Sequence, residues 1–364
     1  MKYKLLVLDV DGTLLNNQKE ISPRTLAALL KVQQMGVHIV LASGRPTNGV
    51  MPIAEKLELN HYGGYILSYN GGQIINVQTG ELLFEKRIDP EWIPYFVQKA
   101  KKNDFAIFTY HKDFILTDKP DNKYVIQEAN LNKMQVVGVD NFAEAVDFSP
   151  CKCMLASDDE EALVGLENHW KKRLDGVLDA FRSEPYFLEV VPQFIDKGNT
   201  LGVLMTKLSV LPEEVIAIGD GVCDVTMLQL AGVGIAMGNA EDSVKACVDK
   251  TTLTNEEEGV AVAVERAILA EIRQIGSSAR PTEYACQTRP DGKPRHPVYL
   301  CIRRSCRSNH AGRRTYPPAI RYPAWRSDTR TGRNRCRVRL DDPGQAGRNR
   351  GRHAGQRQPH VIRP

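Results

Sequence analysis

The 364-residue sequence predicts an α/β protein: a doubly wound parallel sheet interrupted by a second, α+β segment. Three observations carry this expectation. Short continuous apolar runs such as LLVL (5–8) and VIAI (215–218) read as strands buried on both faces, as in parallel sheets. Helical periodicities separate most of these runs, supplying the crossovers that parallel strands need. Polar residues gather where the runs stop, and open α/β sheets bind ligands outside the carboxyl ends of their strands.

The first strand opens the chain and ends at Asp9. In ISPRTLAALLKVQQMG (21–36), Ser22 predicts an N-cap, Pro23 the first helical position and Gly36 the stop. The strand VHIVLAS (37–43), a helix opened by GRPTNGV (44–50) and the strand YILSYNGG (65–72) follow. The rhythm then changes. IINVQTGELLFEKRI (74–88) predicts a hairpin around Thr79 and Gly80, a helix starts at Pro90, and FAIFTYHKDFILTD (105–118) predicts a second hairpin at Lys112 and Asp113. A helix over 120–133, the strand CKCMLAS (151–157), a helix over 159–174 and the strands VLDAFRS (177–183) and YFLEVVP (186–192) complete this section. From Lys197 the first rhythm resumes with a helix, VIAIGD (215–220), a helix from Asp224, GVGIAM (232–237), a helix from Glu241 and an amphipathic helix GVAVAVERAILAEI (259–272). The expected organisation is a Rossmann-like core over 1–83 and 191–275, an inserted α+β domain over 84–190, and a separate tail over 276–364.

The tail differs in charge. The net formal charge of +4 conceals a segment to residue 275 with 27 basic and 39 acidic residues, and 89 further residues with 20 Arg, one Lys and five acids. A charge of +16 in the tail is the electrostatic footprint of a nucleic-acid binder. Yet the tail has no hydrophobic periodicity or repeat, and its near-total preference for Arg over Lys, with Gly, Pro, Ala and Thr, resembles a shifted reading frame. It is expected to lack order by itself. Cys301, Cys306 and His310 match no common zinc-finger spacing. No run approaches the roughly 20 apolar residues of a membrane span, and Asp9 and Asp11 cut the opening run too short for a signal peptide. A cytoplasmic protein with eight reduced cysteines is the expectation.

The chemistry starts in LLVLDVDGTLL (5–15), where Asp9 and Asp11 stand one residue apart at the end of a buried strand. Two close carboxylates need a cation or a shared proton. Three further segments supply partners. LASGR (41–45) ends a strand with the Ser43 hydroxyl and Gly44; DKGNTLGVL (196–204) places Lys197 at a helix N-terminus, which favours anions; IAIGDGVCD (216–224) ends a strand with Asp220 and Asp224. Hard carboxylate oxygens beside a lysine and a hydroxyl suit Mg²⁺ together with a phosphoryl group. Cys151 and Cys153 are expected to pack in the core, GVGIAMG lacks dinucleotide-loop spacing, and His38, His61, His111 and His169 show no ligand spacing.

These four segments, in this order and with a large insertion between the second and third, resemble the haloacid dehalogenase superfamily and, within it, the Cof-type phosphatases. SYNGG (68–72), PYFLEVVP (185–192) and AGVGIAMGNA (231–240) extend the resemblance, which covers residues 1–273. It implies a Mg²⁺-dependent phosphatase of small phosphorylated metabolites, sugar phosphates among them. Asp9 would take the phosphoryl group, and Asp11 would protonate the leaving oxygen and then activate water. The Asp9 carboxylate, the Asp11 carbonyl and Asp220 would hold Mg²⁺, with Asp224 behind them. Ser43, Gly44 and Lys197 would hold phosphate oxygens, while Thr13 and Asn70 stand nearby. Arg45 would either reach a distal group of the substrate or form a surface salt bridge. One position departs from the pattern: Cys223 stands where these phosphatases carry Asn, which implies weakened activity. A phosphomutase on the same core, and a nucleic-acid-binding protein with a weakened core, are the competing readings. Neither a membrane nor an obligatory nucleic-acid partner is expected.

Overall fold

A computed structural model describes residues 2–269; the tail and the last residues of the helix expected over 259–272 lie outside the described residues. The chain first lays down five strands: β1 (Leu5–Asp9), β2 (His38–Ala42), β3 (Tyr65–Ser68), β4 (Gln73–Asn76) and β5 (Leu82–Glu85). It then builds β6 (Ala106–His111), β7 (Phe114–Thr117), β8 (Gln135–Gly138), β9 (Cys153–Ala156), β10 (Leu178–Glu184) and β11 (Phe187–Pro192). Finally it returns for β12 (Val215–Gly219), β13 (Val233–Ala236) and β14 (Lys250–Thr251).

The first and last groups form one eight-stranded sheet in the order β14-β13-β12-β1-β2-β3-β4-β5. Its strands are parallel from β14 to β3, and the β4/β5 hairpin adds an antiparallel edge. The opening strand shows why the sheet is wound on both faces. Leu6 and Leu8 enter one core with the helices Pro23–Gln34, Thr47–Lys56 and Gly259–Val264, while Leu5 and Val7 enter another with Lys197–Leu208 and Val225–Leu230. All four leucine and valine side chains are fully buried, and each contributes about 1.5–3 kcal/mol relative to exposure. Ser22 caps the first helix by accepting from the Thr25 N–H, with Pro23 at its first position, as its sequence predicts.

The middle group forms a separate six-stranded sheet, β10-β11-β9-β6-β7-β8, antiparallel except between β7 and β8. One face packs against the helices Ile93–Asn103 and Glu160–Arg173, through Phe96 and Trp170; the other carries Phe108, Tyr110, Met154 and Phe187, with helix Lys123–Asn132. Both expected hairpins form, but β8 was not anticipated, because QVVG is short and half exposed. Cys153 is buried in the core, whereas Cys151 precedes β9 and lies against Glu85, so the two cysteines do not share one packing role. Among the described residues, no helix is long and apolar enough to cross a membrane.

Candidate active site

The parallel register places Asp9, at the end of β1, beside Ala42 on β2, so the loops after β1, β2, β3 and β12 meet at one edge. Lys197, the first residue of its helix, is fully buried and donates to Asp9 Oδ1 and Asp224 Oδ1, each at 2.6 Å. The other Asp224 oxygen accepts the Asp220 and Gly221 N–H groups at 3.0 and 2.9 Å. That carboxylate accepts three hydrogen bonds and acts as a strut for Lys197 and the β12 loop. Thr13 donates to Asp220 Oδ1 at 2.6 Å, tying the β1 loop to the β12 loop.

Asp9, Asp220 and Asp224 each place a carboxylate oxygen within 4.8 Å of the others. Burial, followed by repulsion from Asp224, pushes the Asp9 carboxyl well above its usual range against the pull of Lys197. Asp220 is also raised, first by burial and further by Asp224. Burial disfavours the Lys197 ammonium, yet Asp224 and Asp9 outweigh this and hold it charged. One ammonium among three carboxylates leaves excess negative charge on hard oxygen donors, a set that suits a divalent cation.

Asp11 takes a different course. Its backbone carbonyl is the group expected at the cation; its carboxylate pairs with Arg45, which donates from Nε and Nη2 at 2.6 Å each, and with Lys19 at 2.8 Å. Despite partial burial, the hydrogen bonds from Arg45 and then Lys19 lower its pKa. The opening pair therefore coexists by having separate counter-charges. Arg45 is only 9% exposed, so its ion pair is not the surface contact expected as one of its two roles. Ser43, Gly44, Arg45 and Asn70 form a neighbouring group: the Asn70 N–H donates to Ser43 O at 2.9 Å, and the Ser43 hydroxyl accepts the Arg45 N–H at 3.2 Å. Asn70 sits at φ 55°, a left-handed conformation that Asn tolerates.

Cys223 is an exposed residue whose thiol approaches Asp224 at 3.8 Å. Desolvation of the sulfur, with Asp224 adding, pushes the thiol up to about 12 although Lys197 opposes this. It is therefore a thiol rather than a nucleophilic thiolate at neutral pH. Three contributors escaped the sequence reading. Asn239 donates to Gly12 O at 2.9 Å and lies 3.4 Å from Asp220 Oδ2; it stands within AGVGIAMGNA, where nothing singled it out as a site residue. Lys19 holds Asp11, and the pair Lys152–Glu189 reaches the loops after β2 and β3 from the second sheet.

Gly12 is the tight point of the site. It sits at φ +81°, and an added Cβ would lie 2.4 Å from Asp220 Oδ2. Gly12→Ala should lower stability by about 1–3 kcal/mol, since backbone strain alone is of that order. It should also weaken cation binding by displacing Asp220, and titration calorimetry with Mg²⁺ checks this separately from thermal unfolding.

With this geometry established, comparison with known proteins decides the family. A family model for haloacid dehalogenase-like hydrolases matches residues 6–264. The chain belongs to that family. A haloacid dehalogenase-like hydrolase of Bacteroides thetaiotaomicron is 47% identical, with a TM-score of 0.70, over 73% of this chain and 99% of its own. A Haemophilus influenzae relative is 32% identical over 267 residues, 73% of this chain and 98% of that protein. The 5-amino-6-(5-phospho-D-ribitylamino)uracil phosphatase of Bacillus subtilis is 28% identical, matching 73% of this chain and 96% of that protein. In this hydrolase the family-model match spans both sheets, so the second sheet belongs to the family architecture.

Proposed function

We propose that the protein is a Mg²⁺-dependent phosphatase of small phosphorylated metabolites, with sugar or polyol phosphates as its substrates. The observation that carries this reading is the buried Lys197 bridging Asp9 and Asp224 at the carboxyl edge of the sheet, beside Asp220. An ammonium at a helix N-terminus favours phosphate oxygens, and a strand-end carboxylate beside it is placed to attack phosphorus. The name of the B. subtilis relative, a phosphatase of a phosphoribityl compound, supports the polyol class.

Asp9 and Asp220 would hold Mg²⁺ with the Asp11 carbonyl, and Asp224 would stand behind. Bound there, the cation supplies charge neutralisation that the three carboxylates lack by themselves. Asp9 attacks phosphorus and carries the phosphoryl group, while Lys197 holds a phosphate oxygen together with the Ser43 hydroxyl and the Gly44 N–H. Asp11 protonates the leaving oxygen and then takes the proton of the hydrolytic water. Its ion pair with Arg45 and Lys19 matches the second role, and release from that pair is required for the first. The second sheet acts as the cap that closes over the substrate and excludes water.

Incubation of the full chain with a panel of hexose and polyol phosphates tests the reading. Free phosphate should appear in step with the dephosphorylated alcohol. An isomeric phosphate ester formed without phosphate release would establish a phosphomutase instead. Cys223→Asn should raise kcat/KM by about ten- to a hundredfold, as expected for one restored hydrogen bond to a charged group of about 1.5–3 kcal/mol. A fall in kcat/KM would assign the thiol a function of its own.

A further inference from the structure

We infer that Lys152 and Glu189 form the subsite that selects the leaving group, and that it reads the hydroxyls of a polyol; this rests on the phosphatase reading above. The two side chains form an ion pair at 3.2 Å and are only 3% and 5% exposed. They belong to the second sheet but contact the first. Lys152 Nζ donates to Gly44 O at 3.1 Å, one residue from the Ser43 hydroxyl, and Asn70 Nδ2 lies 3.5 Å from Glu189 Oε2. These contacts join the pair to the loops after β2 and β3, the two nearest β1 on that side.

Strand alternation accounts for the placement. Leu188 and Val190 on β11 enter the core covered by helices Ile93–Asn103 and Glu160–Arg173, so Glu189 between them points to the opposite face. It pairs there with Met154 on β9 and Phe181 on β10. Lys152 precedes Cys153, whose side chain enters the helix-covered core, and its ammonium lies 5.4 Å from the centre of the Tyr110 ring. Charge, amide and aromatic surface thus converge beside the phosphate-binding loop.

Stability does not explain the pair. A buried ion pair is commonly neutral or unfavourable relative to apolar residues of the same volume, because two charges lose their hydration. Recognition explains it better. The Glu189 carboxylate has capacity for about four hydrogen bonds, and among the described residues it meets only Lys152 and the long Asn70 contact. An acceptor with spare capacity, an ammonium and an amide together match vicinal hydroxyls, each of which donates and accepts. An apolar leaving group would cover these charges without satisfying them.

The test uses sorbitol 6-phosphate, hexyl phosphate of the same chain length, and p-nitrophenyl phosphate with the full chain and Mg²⁺. Wild type should prefer sorbitol 6-phosphate over hexyl phosphate in kcat/KM by at least about tenfold, since sites built to bond hydroxyls reject analogues that lack them. In Glu189→Gln and Lys152→Met the ratio should fall toward one, chiefly through a higher KM for the polyol ester. Hydrolysis of both esters by wild type with equal kcat/KM would overturn the subsite without needing any variant. An equal loss on both esters in the variants would also overturn it, leaving the pair as a contact between sheets. Silence on all three substrates would instead refute the phosphatase reading, and this inference with it.

Discussion

Asp9→Asn is expected to abolish phosphate release while leaving the fold intact. The loss should be on the order of 10⁶-fold, the scale on which removing a covalent nucleophile acts in a hydrolase. The amide is nearly isosteric with the carboxylate, so β1 and its register with β2 and β12 are undisturbed. Stability should not fall. The cluster holds three carboxylates against one ammonium, and burial with repulsion from Asp224 raises the Asp9 carboxyl well above its ordinary range. A raised folded-state pKa means that ionised Asp9 opposes folding at neutral pH; this opposition shrinks as the pH falls through the raised pKa toward the usual carboxylate range and is gone below that range. In EDTA, Asp9→Asn should therefore melt at or above the wild-type temperature at pH 7, with the advantage shrinking in acid. Retained turnover would remove Asp9 from the nucleophile role.

Lys197→Met should be damaging in both respects. It removes the one ammonium that bridges Asp9 and Asp224, and leaves their carboxylates buried without it. Breaking a buried pair by removing one partner costs about 3–5 kcal/mol. Activity should fall by at least about 10³-fold, since the lysine is also a preorganised donor to the phosphoryl oxygens. The variant carries its own control: Mg²⁺ should raise its melting temperature by more than it raises that of wild type, because the cation replaces the missing positive charge. Equal melting temperatures for Lys197→Met and wild type in EDTA would contradict the electrostatic role assigned to Lys197.

Much of this was legible in the sequence, for reasons that can be named. LLVL and VIAI read as strands of a doubly buried sheet, and they pair side by side in it as β1 and β12. Asp9, Asp220, Asp224 and Lys197 are close because each stands at the end or start of an element whose direction the alternating pattern sets. The fate of Asp11 was not legible. Its partners lie eight and 34 residues away on loops, and no periodicity reports where long Lys and Arg side chains turn. Lys152 was hidden for another reason: CKC drew attention to its cysteines, although alternation with the buried Cys153 already placed the lysine on the opposite face. Asn239 follows β13 in a loop whose contact with Gly12 is long-range, and only the folded chain brings them together.

Initial rates of phosphate release from p-nitrophenyl phosphate by the full chain, in Mg²⁺ and again in EDTA, bear most directly on the proposed chemistry. Turnover in Mg²⁺ that disappears in EDTA and returns on adding excess Mg²⁺ is the predicted result. Turnover unchanged by EDTA, or none from folded protein in Mg²⁺, would contradict a metal-assisted phosphatase built on Asp9, Asp220 and Lys197.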